Sequence, residues 1–259
     1  MKKLFIVLMV FSFLALGLSL SPVFAKNDKN LDIPEQDGVY NVPGHPDLKV
    51  RVFVHRVNGK PAPTPAWQCG LSDPDSSAVV DKEVWKLPSK WTYNLNPNSA
   101  PSSVGSGNAA TITDNAFKAW TSELKNQVTI TRGDDTTITR KGLDGQNIVT
   151  WGTASGSALG VTYIWYNPAT GAVTELDTIL NTKFAWTWSG GISICAWTNT
   201  YDAQDILTHE IGHWFGLDDE YTSAFVNNTM YGFGSTGDAK ADTLTTGDIN
   251  GVKVIYSIK

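Results

Sequence analysis

Residues 202–221 read DAQDILTHEIGHWFGLDDEY, and this stretch decides the fold. Asp202 is of a type that caps helix N-termini, and no proline interrupts the run to Phe215, so a helix is expected over 202–215. On a helix, positions i and i+4 share a face, which sets the imidazoles of His209 and His213 side by side. Glu210 projects next to them, near enough to act on a water held by a shared ion without ligating that ion. Gly216 comes three residues after His213, where a helix stops on a residue that tolerates positive φ. The turn it allows would return Asp219 toward the two histidines. Two imidazoles, a carboxylate and an open position form the ligand pattern of catalytic rather than structural zinc. Asp218 and Glu220 are adjacent carboxylates, and spacing alone favours Asp219 over them. The plain alternative is a solvated helix face with two incidental histidines; Gly216 and Asp219 argue against it.

Outward from this helix the pattern is α+β. Strands are expected at 91–96, 128–131, 148–151 and 160–166, with a return strand running to about Leu180 after the turn at Asn167–Gly171. Ile112, Ala116, Trp120 and Leu124 recur every four residues, so 109–125 reads as an amphipathic helix. A Trp-rich stretch from Phe184 to Trp197 reads as a long loop, and a last helix is expected near 246–257. Further upstream, LKVRVFVH (48–55) alternates with period two, as a half-buried strand does. Gly59–Pro65 holds three prolines and reads as an extended linker, which places a boundary between residues 66 and 88. At the N-terminus, Lys2-Lys3, an apolar run to about Leu20 and Val23-Phe24-Ala25 read as a secretory signal peptide ending at residue 25. An uncleaved membrane anchor is the alternative, at the lower limit of spanning length.

The net charge is −5, and −7 without the two leader lysines. Such a balance offers no basic footprint for nucleic acid or an anionic membrane. It fits a secreted, soluble, monomeric protein. Four histidines in the whole chain (His45, His55, His209, His213) confine any histidine chemistry to few places.

HEIGHWFGLDD (209–219) resembles the H-E-x-x-H-x-x-G-x-x-H motif of the metzincin peptidases. It departs from most of that clan in having Asp219 for the third His, and in this is similar to the snapalysin type. Asn228-Thr229-Met230-Tyr231-Gly232 resembles the Met-turn, with Met230 as the apolar floor beneath the imidazoles. LTTGDINGVKVIY (244–256) resembles the C-terminal helix of the matrixins, the matrix-metalloproteinase-like branch. From the residues themselves, Thr246 suits an N-cap, Asp248 suits the helix N-terminus, and Ile249, Val252 and Tyr256 share a face. AFKAW (116–120) looks like the first matrixin helix and WTYNL (91–95) like the first strand.

The resemblance covers roughly 85–259 and implies a catalytic domain over 89–259. Residues 26–88 form an N-terminal segment, either a propeptide or a permanent part of the domain. The implied fold is a twisted mixed sheet with an antiparallel edge strand, three helices and a Met-turn after the active-site helix. The implied activity is that of a zinc-dependent endopeptidase, with the ion on His209, His213 and Asp219. Glu210 would serve as general base and then return the proton to the leaving amine. Protein or peptide substrates would add a strand to the 160–166 edge, beside a pocket formed by the Met-turn and the 231–243 loop. A second zinc, as in vertebrate matrixins, is not expected, because residues 140–200 contain no His. Calcium through Asp177 or neighbouring loop oxygens is compatible with the resemblance, although no dense carboxylate loop supports it.

A different class of function is an extracellular binding protein on the same fold. Ten tryptophans could form a carbohydrate surface, but most sit in strand or helix patterns, where core packing explains them. Two cysteines remain. Cys69-Gly70-Leu71-Ser72-Asp73 faintly resembles the matrixin cysteine switch, with Gln68 where the family has arginine. A Cys69–Cys195 disulfide is the competing reading, favoured because it leaves no unpaired thiol in an oxidising compartment.

Overall fold

The computed structural model describes residues 32–58, 73–190 and 199–258. The leader, the proline-containing linker, Cys69 and Cys195 lie outside the described residues. The elements in chain order are β1 (Gly38–Val42), β2 (His45–Val57), β3 (Lys90–Leu95), α1 (Ser106–Thr121), β4 (Thr129–Arg132), β5 (Ile148–Gly152) and β6 (Ala158–Tyr166). They continue with β7 (Val173–Asn181), β8 (Trp186–Thr187), β9 (Tyr201–Asp202), α2 (Ala203–Trp214), β10 (Phe233–Gly234) and α3 (Thr246–Ile255).

Seven strands follow the order β1-β2-β6-β7-β5-β3-β4, and β10 pairs with β2 off that path. β3, β4, β5 and β7 run parallel, while β6 is antiparallel to β7. The expected mixed sheet is therefore present, and α1 and α2 pack on it. The face of α1 read from the four-residue spacing is the one that packs: Ile112, Ala116, Phe117 and Trp120 are buried. They join Trp214 and Phe215 of the α2 end in one apolar core. A second cluster, with Val50, Val52, Val54, Val161, Tyr163 and Trp165, gathers around the paired strands β2 and β6.

The strand expected at 48–55 is present and paired within the sheet, and three other expectations change. It is the middle of β2, a 13-residue strand built into the sheet. Its pairing with β6 runs antiparallel from Lys49↔Tyr166 to Arg56↔Ala158. The 160–166 strand expected to form the open edge is thus an interior strand, and β1 forms the edge instead. In the Trp-rich loop, Trp186–Thr187 pairs in parallel with Tyr201–Asp202, so its described ends are tied together. The last helix is capped by Thr245 rather than Thr246. Thr245 and Asp248 form a reciprocal capping box, which satisfies two N–H groups at the helix start.

Candidate metal centre

α2 begins as its sequence dictates. Asp202 accepts hydrogen bonds from the backbone N–H of Gln204 (2.8 Å) and Asp205 (3.1 Å). Every residue of the helix is buried. Two indoles fix its carbonyls: Trp120 Nε1 donates to Thr208 O at 2.8 Å and Trp85 Nε1 to His213 O at 3.1 Å. The helix stops at Gly216, whose φ is 94°. A Cβ there would lie 2.4 Å from Trp85 O, so both the turn and the close approach require glycine.

The turn returns Asp219 to the helix. Its Oδ1 lies 3.1 Å from His209 Nε2 and 3.6 Å from His213 Nε2. Ligand atoms around a tetrahedral zinc with bonds of about 2.0–2.1 Å sit about 3.3 Å apart, so this spacing fits the ion. The far nitrogen of each imidazole is held by a carbonyl, Thr229 O at 2.8 Å for His209 Nδ1 and Leu217 O at 2.9 Å for His213 Nδ1. A carbonyl only accepts, so Nδ1 carries the hydrogen in both rings and Nε2 faces inward. Those two Nε2 atoms and Asp219 Oδ1 are buried without a hydrogen-bond partner. Three orphaned polar atoms at one point are costly unless a cation satisfies them. The donor set fits zinc.

Asp218 and Glu220 are turned to other tasks. Asp218 Oδ1 accepts from Arg51 at 3.1 Å, and Glu220 Oε1 accepts from Asp81 N at 2.9 Å. Asp219 Oδ2 lies 3.0 Å from the Tyr221 hydroxyl. Burial works to raise the Asp219 carboxyl, but His213 and His209 prevail and hold it well below the usual carboxylate range. Burial pushes His213 down to about 3. His209 goes the other way, because Asp219 outweighs its desolvation. A proton on His209 and a divalent cation therefore compete for the same carboxylate.

Glu210 sits beside this trio. Its Oε2 accepts from Thr162 Oγ1 at 2.5 Å, and Thr162 is in turn 2.8 Å from Thr178 Oγ1. Trp214 Nε1 donates to Thr178 Oγ1 at 2.9 Å, which orients the hydroxyls so that each donates toward Glu210. Oε1 has no hydrogen-bond partner among the described residues. Burial pushes the Glu210 carboxyl up to about 7, against His209 and the Thr162 hydrogen bond. Gly160 makes room, since a Cβ there would lie 2.2 Å from Oε1.

Beneath the helix lies Met230, fully buried. A Cβ on Gly212 would meet its Sδ at 2.3 Å. Asp248 holds the turn, its Oδ2 accepting from Thr229 N at 2.9 Å and its Oδ1 from Met230 N at 3.3 Å. The oxygens of Asp177 accept from Gly142 N at 2.9 Å and Ile148 N at 3.2 Å and so anchor a loop.

Four residues near the site escaped the sequence reading: Thr162, Tyr221, Phe53 and His55. The ring of Phe53 stacks on His213 with centroids 3.7 Å apart and planes 5° apart. His55 lies 3.8 Å from His209, ring to ring, and its Nδ1 is 4.0 Å from Glu210 Oε1. The alternation of β2 was legible, but not that its inward face meets the metal centre.

No curated relative matches the sequence. The sequence profile of the matrixin family matches residues 84–257. That match, over about two thirds of the chain and across the helix, turn and ligand trio described above, makes this protein a member of the matrixin family, the zinc metallopeptidases with a single mixed sheet over a histidine-bearing helix.

Proposed function

We propose that the chain is a secreted zinc endopeptidase in which His209, His213 and Asp219 hold the ion and Glu210 is the general base. The observation that carries this reading is the convergence of three buried, unpartnered ligand atoms beside a carboxylate that is not among them. Zinc, when bound, polarises the scissile carbonyl and acidifies water at its open position. With zinc held by His209, His213 and Asp219, Glu210 Oε1 would take a proton from the attacking water and return it to the leaving amine. A pKa near 7 suits a group that must accept and then give a proton. Thr162 keeps Oε2 engaged, so Oε1 alone faces the reaction. His209 and His213 cannot swing away, because Thr229 O and Leu217 O hold their far nitrogens.

Secretion rests on the leader at residues 1–25, and protein or peptide substrates follow from the reaction. The test uses the secreted protein as recovered and after limited digestion. Zinc content is measured, and casein-gel digestion is followed with and without a chelator. One zinc per chain and chelator-sensitive digestion are expected. Stoichiometric zinc with no digestion in either form would point to a binding protein and overturn the reading.

A further inference from the structure

Between β2 and β3, residues 75–87 belong to no helix or strand, yet they run as a strap along several parts of the site. At its start, Asp75 accepts from Thr246 N at 2.7 Å and from Thr246 Oγ1 at 2.8 Å, at the head of α3. Gly247 N donates to Ser76 O at 2.7 Å, and Asn228 Nδ2 of the Met-turn donates to Ala78 O at 3.0 Å. Toward its end Val80, Trp85 and Leu87 enter the main apolar core, and Leu87 N donates to the Tyr256 hydroxyl at 3.0 Å. Irregular backbone whose polar groups have this many fixed partners is a built part of the fold.

The centre of the strap meets the turn that carries the third ligand. Lys82 bridges Leu217 in antiparallel fashion, with Glu83 N bonded to Gly216 O at 2.8 Å and Asp218 N to Asp81 O at 3.0 Å. Asp81 N donates to Glu220 Oε1 at 2.9 Å. The main chain of Asp81 therefore grips the residues on both sides of Asp219. Glu220 is tied in turn to the Met-turn, its N–H bonding Met230 O and its carbonyl accepting from Gly232 N, each at 2.9 Å. Residues 216–220 are thus fastened to both the strap and the Met-turn. Without the strap, Asp219 would hang from Gly216, and a glycine restrains its backbone least of all residues.

We propose that residues 75–87 are a positioning element of the metal centre: gripping both neighbours of Asp219 through Asp81, the strap holds the third ligand in place, and the site retains its metal only while the strap is seated. This rests on the assignment of Asp219 as a ligand made above. Asp81 acts through Asp219 and touches no metal itself.

The test loads the full-length chain with Co²⁺, records its visible ligand-field bands and times the release of cobalt to excess chelator. Wild type, Glu220→Ala, Glu220→Gln and Gly247→Ala are compared, with circular dichroism and urea unfolding of the metal-free proteins. Glu220→Ala removes the acceptor of Asp81 N, whereas the amide oxygen of Glu220→Gln still accepts. A Cβ on Gly247 would run into Ala78 O and lift the strap three residues from Asp81, touching none of the ligands. Glu220→Ala and Gly247→Ala should shift the cobalt bands and release the metal about tenfold faster or more, the usual effect of losing support behind a ligand. Glu220→Gln should behave as wild type. Should Gly247→Ala fail to fold, the Glu220 pair decides alone. Folded variants with wild-type bands and release rate, even with a lowered unfolding midpoint, would make the strap a purely structural brace and overturn the proposal. Equal acceleration by Glu220→Ala and Glu220→Gln would assign the effect to the charge of Glu220 and overturn it as well. Wild type that binds no cobalt would sink the metal assignment itself, and the proposal with it.

Discussion

Glu210 and Asp219 bring two carboxylates into one buried space for opposite purposes, and single substitutions should separate them. Glu210→Ala should reduce peptide hydrolysis by at least ~10²-fold while zinc remains stoichiometric. Loss of zinc in step with activity would mean that Glu210 is a ligand. Asp219→Ala should release the metal and abolish activity together, and Asp219→His should keep the metal, since imidazole also ligates zinc. Asp218→Ala should leave zinc content unchanged, because its carboxylate faces Arg51 rather than the histidines. Metal analysis after gel filtration reads the zinc content of all four variants. Local spacing made His209, Glu210, His213 and Asp219 legible: a helix and one tight turn bring them together within eleven residues of sequence. Thr162 and His55 were not legible. Each meets Glu210 only through the pairing of distant strands, and no local periodicity carries that register.

At the scale of elements, the Met-turn and α3 depend on one buried carboxylate. Asp248 accepts from the backbone N–H of Thr229, Met230 and Thr245 and from the Thr245 hydroxyl. It is therefore both the reciprocal half of the capping box and the bracket that keeps Met230 under Gly212. Asp248→Ala should strand several buried donors and cost about 2 kcal/mol or more of stability. Urea unfolding of the variant against wild type measures it, and a cost below the error of the extrapolation would show that the bracket is dispensable. The sequence revealed Asp248 only as a residue suited to a helix start. Its hold on a loop some twenty positions upstream is a tertiary fact. The helices themselves were readable from their periodicity, and the strands β3 to β7 from their alternation or continuous apolar runs. β2 was readable as a strand yet not as part of the sheet, because the linker after it suggested a boundary. A proline-rich connection separates segments in sequence without preventing them from pairing in space.

For the whole molecule, the position of β2 has a consequence for solubility as well as for access. β6 is nine residues long and every one is buried, with Trp165, Tyr163 and Val161 on the side that faces the second cluster. Without β2 it would present a row of unpaired N–H and C=O groups along a long apolar margin, the kind of margin that recruits strands from other copies. The strand that lies over the candidate metal centre is therefore also a stopper against self-association. Displacing β1–β2 should make the protein scatter light increasingly with concentration, and an added extended peptide that pairs with β6 should suppress the scattering. A displaced form that stays monomeric at all concentrations would show that the margin is protected by some other means. Openness of the β6 margin and shelf life would then be opposed by construction: the form with a free margin is the form least able to be kept.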